Sequence, residues 1–210
     1  MNDSKMREFR GDIEIRATEE KPRRIGGYAA VYYDGSAGSE YELWTGGPME
    51  RVVAGAFDKA VREDDVRALR DHDSSALLGR TKSGTLRLST DSRGLKYEID
   101  LPDTSVGRDV FESVRRGDMT ESSFAFEITD EEWKKEGGKR IREIKGVRLF
   151  DVSCCAFGAY KGASVGIRVG GDLTEARAAL AKVEESEAAS RAQADIDQAQ
   201  SRARCLEIGV

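Results

Sequence analysis

Apolar and polar positions change their period several times along this chain, and each change marks an element. Residues 1–24 are polar apart from one alternating run, Phe9 to Ile15 (FRGDIEI), which suits an edge strand. Residues 25–55 read as strand material broken by turns, in the order GGYAAVYY, DGSAGSE, YELW, TGGPME. Aromatic and β-branched residues suit a pleated surface, and the Gly, Asp and Ser clusters suit turns. Phe57, Ala60, Val61, Val66 and Leu69 then fit a short amphipathic helix, or a helix followed by a strand. Residues 75–102 predict a β-meander. SALLGRT, TLRLSTD and GLKYEIDLP are separated by KSG and DSRG, which are hairpin signals.

The second half opens on SVGRDVFESVRRGDM. Ser and Asp cap signals, Val106, Val110, Phe111 and Val114 at helical spacing, Arg115 and Arg116 in the last turn and Gly117 as a stop predict a helix. SSFAFEI (122–128) predicts a strand, EEWKKEGGKRIREI a charged hairpin with the Gly pair at its tip, and VRLFDVSCCAF (147–157) the most apolar strand. Residues 163–169 suit a last strand. From about residue 172 to 206, Ala, Glu, Arg and Gln dominate. That segment predicts a helix whose Ala-rich seam is weak, either solvated or packed on a partner. The organisation is a polar segment (1–24), a main domain (25–170) and a helical tail (171–210), with the boundary near Gly170–Gly171. The expected fold is strand-rich α+β, barrel-like, with two helices between strands and a C-terminal helix.

Composition narrows the function classes. The 210 residues carry a net charge of −5. That argues against gripping nucleic acid through the overall field, which needs a basic face. No run approaches the roughly 20 apolar residues of a membrane span. The charged N-terminus lacks the apolar core of a signal peptide. Cys154, Cys155 and Cys205 are too few and too clustered for a disulfide framework, which points to a reducing compartment. They lack metal-ligand spacing. Cys154 and Cys155 read as small packing residues on opposite faces of a strand.

One count matters most: the chain has one histidine, His72. Any chemistry needing an imidazole near neutral pH must use it. Taken alone it reads as an ordinary histidine between Asp71 and Asp73. Ser123, beside Phe124 and Phe126, is an unusual choice inside an apolar strand. Asp151 is a carboxylate within an apolar run, costly to bury unless paired. It either points to solvent, sharing a side with Leu149 and Ser153, or orients an imidazole from a neighbouring strand; Glu143 is a second candidate for that role. A hydroxyl, a base and an acid would make a serine hydrolase site. Ser123, set in ESSFA, does not sit in a G-x-S-x-G elbow, which argues against an α/β-hydrolase.

Five blocks, in order over some 140 residues, carry a resemblance: GYAAVY; RVVAGAFDKAV; ALRDHDSSALLGRTKSGTLRLSTDSRGLKYEIDLPDT; VFESVRRGDMTESSFAFEI with the following Trp133; and RIREIKGVRLFDVSCCAFGAYKGASVGIR. This stretch, about residues 25–168, resembles the prohead maturation proteases of tailed phages, which are similar in fold to the herpesvirus assemblins. The resemblance implies an assemblin-like β-barrel flanked by helices. It implies His72 as base and Ser123 as nucleophile, with Ser122 as a neighbour. Assemblins use a second histidine as third member. This chain has none, so an acid serves or the site runs as a dyad. Asp151, in an acidic-Val-Ser word, lies on the strand that would supply the acid. A basic residue on the strand after the nucleophile would help position the oxyanion hole. Arg142 and Arg148 are candidates, beside a plain reading as solvated strand charge. Relatives usually read Pro-Ala-Tyr where this chain has Gly158-Ala159-Tyr160.

The function implied is a serine endopeptidase of head maturation. It would cleave the scaffolding segment of the major capsid protein, and itself, inside the procapsid in the host cytoplasm. No metal or cofactor is implied, a homodimer is, and direct contact with nucleic acid or membrane is not. The tail is implied to contact scaffold or to be removed. Two other readings compete. An inactive capsid-assembly module would keep the fold without needing both His72 and Ser123. A small-molecule esterase would need a closed apolar pocket, for which no sequence signal stands out.

Overall fold

In the computed structural model, residues 11–12, 23–36, 38–156 and 173–208 are described. The strands are β1 (Gly11–Asp12), β2 (Arg24–Val31), β3 (Glu40–Glu42), β4 (Met49–Val52), β5 (Arg67–Arg70), β6 (Asp73–Arg80), β7 (Leu86–Thr90), β8 (Gly94–Asp100), β9 (Glu121–Glu136) and β10 (Lys139–Cys155). The helices are α1 (Asp58–Glu63), α2 (Ser105–Arg116) and α3 (Leu173–Ile208). The chain divides into two units, residues 1–171 and 172–210, and each is described by itself.

β9 and β10 are one long antiparallel hairpin. Gly137 (φ 58°) and Gly138 (φ 81°) make its tip, where a two-residue turn needs positive φ at both positions. β10 is the spine of a seven-stranded sheet. On its far edge its first half pairs in parallel with β4, and its last residues pair in parallel with β5. β3 lies antiparallel on β4, β6 antiparallel on β5, and β1 on the edge of β9. β2, β8 and β7 form a second, antiparallel sheet. One hydrophobic core draws on both sheets and on α1 and α2, with Phe57, Phe124, Phe126, Tyr97, Ile99 and Leu78 among its fully buried side chains. Phe124 stacks on Phe126 and meets Phe57 edge-on.

The strand-rich α+β class and the C-terminal helix are as expected. The barrel is not met in full: the strands form two sheets, and among the described residues no closed ring of ladders links them. The meander is also corrected. DSRG does join β7 to β8, with Asp91 Oδ1 accepting from the N–H groups of Arg93 and Gly94. KSG does not join paired strands, because β6 turns back onto β5. Gly79 of β6 lies so close to Thr85 and Ile99 that a side chain there would press on both. β6 therefore crosses beside the second sheet instead of extending it. Met49 and Glu50, placed by sequence in a turn, open β4. Its pattern was hidden because Glu50 and Arg51 are buried and satisfied by ion pairs with Arg142, Glu40 and Glu136. Gly158-Ala159-Tyr160, the strand proposed at 163–169 and the boundary at Gly170–Gly171 lie outside the described residues. Only Gly11–Asp12 of the Phe9–Ile15 run lies within them.

Candidate active site

The site grows from three backbone features. The first is the connection between β5 and β6. Arg70 and Asp73 pair directly, so Asp71 and His72 alone make the turn. Both have positive φ, 51° and 56°. This is the conformation of the primed two-residue hairpins, usually filled by Asn-Gly or Asp-Gly. Asp and His tolerate the left-handed region better than most residues, but not freely. The turn is tied to the end of β10: Asp71 N–H donates to the Cys154 carbonyl at 3.0 Å, and Asp71 Oδ1 accepts from Ala156 N–H at 3.0 Å.

The second feature is the start of β9, where alternate residues take opposite faces. Phe124 and Phe126 enter the core. Ser122 shares their face, with its Oγ 2.7 Å from the Tyr97 hydroxyl. Ser123 faces the other way, toward the turn. Ser123 and Ser153 are direct partners across the ladder.

The third feature is a β-bulge in β10. Leu149 pairs with Phe126, and Asp151 with Ala125, so Phe150 is an extra residue. The expectation that Leu149, Asp151 and Ser153 share a side fails here. Leu149 is buried in the core, whereas Asp151 and Ser153 meet His72. An extra residue re-aims every side chain beyond it.

The imidazole of His72 meets a partner at each nitrogen. Nδ1 lies 2.7 Å from Asp151 Oδ1, and Nε2 lies 2.8 Å from Ser123 Oγ. The His72 and Asp151 side chains are 5% and 8% exposed, and Ser123 is 1% exposed. Charge interactions between such groups are only weakly screened. With Asp151 ionised, Nδ1 carries the imidazole proton, and Nε2 is free to accept one from Ser123. Ser153, not singled out by sequence reasoning, completes the cluster. Its hydroxyl donates to Asp151 Oδ1 at 2.8 Å and accepts from His72 N–H at 3.2 Å. The period-2 step from Asp151 was the signal that could have found it.

The other candidates lie elsewhere. Glu143 pairs with Lys134 at 2.6 Å. Arg142 joins a buried network with Glu50 and Glu131, and its guanidinium stands over Trp133. Arg148 is 64% exposed, with Phe150 beneath its guanidinium. Burial pushes the Cys154 thiol up to about 12 and the Tyr97 hydroxyl well above its usual value, so both stay protonated core groups. Cys155 is also buried. The side chain of Cys205 lies outside the described residues. Among the described residues no group of three or more His, Cys, Asp and Glu side chains is arranged to hold a metal ion, and no helix is long and apolar enough to cross a membrane.

No curated protein and no solved structure matches the chain. A family model does. It spans residues 11–175, and so takes in the turn that carries His72, the strand of Ser123 and the bulge that aims Asp151. The model is that of the caudovirus prohead serine protease (peptidase S78), and since it covers well over half of the sequence this chain belongs to that family of capsid-maturation serine peptidases.

Proposed function

We propose that the chain cleaves peptide bonds through Ser123, His72 and Asp151, acting on the scaffolding segment of the major capsid protein and on itself within the procapsid. The observation that supports this most directly is the pair of short contacts on the single imidazole, 2.7 Å to Asp151 and 2.8 Å to Ser123. In this reading His72 Nε2 takes the Ser123 proton as Oγ bonds to the scissile carbonyl carbon. The tetrahedral intermediate collapses when His72 gives that proton to the departing amine nitrogen, and the C–N bond breaks. Water then enters. His72 takes its proton, the hydroxyl oxygen bonds to the acyl carbon, and Ser123 leaves with the proton returned. Asp151 holds Nδ1–H and offsets the positive charge that develops on the imidazole. No step calls on a metal or cofactor.

Ser123 is 1% exposed, so a scissile bond reaches it only after local opening. A homodimer inside the procapsid of the host cytoplasm is the form we assign to it. The tail from residue 171 on is the segment we expect to be released by self-cleavage or to contact scaffold.

Co-expression with the major capsid protein tests this, with both chains followed by intact mass. Wild type is expected to shorten the capsid protein and its own chain. Ser123→Ala is expected to leave both at full length, since loss of a nucleophile lowers turnover by on the order of 10⁴-fold to 10⁶-fold. If wild type also leaves every chain intact while procapsids form, an inactive assembly module replaces the protease reading.

A further inference from the structure

Ser153 is a buried hydroxyl that the proposed reaction does not consume. It stands across the ladder from Ser123, on the same face as Asp151 two residues before it. Its single proton goes to Asp151 Oδ1, at 2.8 Å. That oxygen is the one facing His72 Nδ1 at 2.7 Å. The Ser153 oxygen lies 3.3 Å from Nδ1 and accepts the backbone N–H of His72 at 3.2 Å. One hydroxyl thus holds the acid from one side and the backbone of the base from the other.

The backbone contact matters because of the turn. Arg70 and Asp73 pair directly, which leaves the His72 N–H to the turn itself. His72 is held at φ 56°, a conformation that persists only where the surroundings enforce it. A strand serine with a structural role alone would satisfy its own hydroxyl. This one also satisfies a donor on a strained residue and fixes the rotation of the carboxylate that must meet Nδ1.

We propose that Ser153 is a positioning residue of the catalytic site, holding His72 and Asp151 in the geometry that lets Nε2 accept the Ser123 proton. This rests on the Ser123–His72–Asp151 reading. It assigns Ser153 no contact with the reacting atoms.

The test uses the full-length chain and a fluorophosphonate, which forms an Oγ–P bond at an activated serine as fluoride leaves and the base takes the hydroxyl proton. Ser153→Ala is expected to lower the first-order labelling constant at Ser123 by about 10-fold to 100-fold, the effect of losing a hydrogen bond to a charged group. The probe concentration for half-saturation should not move. Because the chain has one histidine, ¹⁵N-histidine labelling gives a single imidazole to follow by NMR. Its Nδ1–H signal should persist in wild type, exchange away with water in Ser153→Ala, and return with the labelling rate in Ser153→Thr, which keeps the hydroxyl.

Should Ser153→Ala fail to fold, Ser153→Cys has nearly the same shape but donates poorly, and is expected to show the same loss. Wild-type labelling by either folded variant overturns the proposal. So does a slower rate with the Nδ1–H signal intact, which is what a merely structural role would give. Absence of Ser123 labelling in wild type overturns the reading of Ser123 itself, and this proposal with it. Equal labelling of wild type and Ser153→Ala overturns this proposal alone.

Discussion

A single imidazole makes each assignment in the site depend on what its two nitrogens touch. Asp151 is the acid that reaches Nδ1, whereas Glu143 pairs with Lys134. The two readings left open by sequence therefore separate by experiment. Asp151→Asn should keep the fold but favour the wrong tautomer, lowering turnover by on the order of 10⁴-fold. Glu143→Gln should leave turnover within about 2-fold and cost under about 1 kcal/mol of stability, because its lysine partner is substantially exposed. Rates of Ser123 labelling in the two variants decide it. A dyad is the better description if Asp151→Asn labels like wild type. Positions 72, 123 and 151 stood out because each is odd in its setting (one histidine, a serine in an aromatic strand, a carboxylate in an apolar run), but only the family resemblance suggested roles for them. Their convergence was not readable. It depends on a left-handed turn at Asp71–His72 and on one extra residue, Phe150, and neither leaves a mark in the hydrophobic period.

Elements were more legible than their partners. α2 shows why local signals succeed: Val110, Phe111 and Val114 face the core, Gly117 at φ 79° ends the helix, and a capping side chain starts it. The cap is Thr104, whose hydroxyl accepts from Gly107 N–H, and not the serine that follows. Gly107 also shows what the pattern conceals. A Cβ there would sit 2.1 Å from the Pro102 carbonyl oxygen, so the helix start is pressed against the incoming chain. In an exposed helix Gly→Ala gains about 1 kcal/mol. Here the methyl meets backbone that cannot rotate away, so Gly107→Ala should lose about 1–3 kcal/mol in urea unfolding. A more stable variant would show that the helix start can shift. The strands tell the same story. β6, β7 and β8 fall where the sequence places them, yet β6 pairs backward with β5. β10 recruits β4 and β5 as parallel neighbours from well before it in the chain. Ladder bonds join backbone groups of any residue type, so the choice of partner is set by core packing across the whole unit.

At the scale of the whole molecule, the two units differ in how they are held. The core of the first is assembled from residues between Ile25 and Cys154. α3 runs for 36 residues, about 54 Å at the usual rise. None of its described side chains, residues 177–194, is buried. Its alanines give a shallow seam, and its ion pair between Arg191 and Glu187 is exposed, of a kind worth a few tenths of a kcal/mol. A helix with so shallow a seam draws little stability from its own packing, and its length suits reversible contact with another helical chain. Ending the chain after Gly171 should therefore leave the site-bearing unit with a single cooperative unfolding transition, a melting temperature within about 3 °C of full length, and the wild-type rate of Ser123 labelling. What the shortened chain should lose is recruitment: in co-assembly with the capsid protein, its amount per procapsid should fall several-fold while its action on an added peptide does not. If truncation instead collapses the melting transition or abolishes labelling, the tail is part of the folded enzyme, and its removal cannot be the maturation step proposed for it.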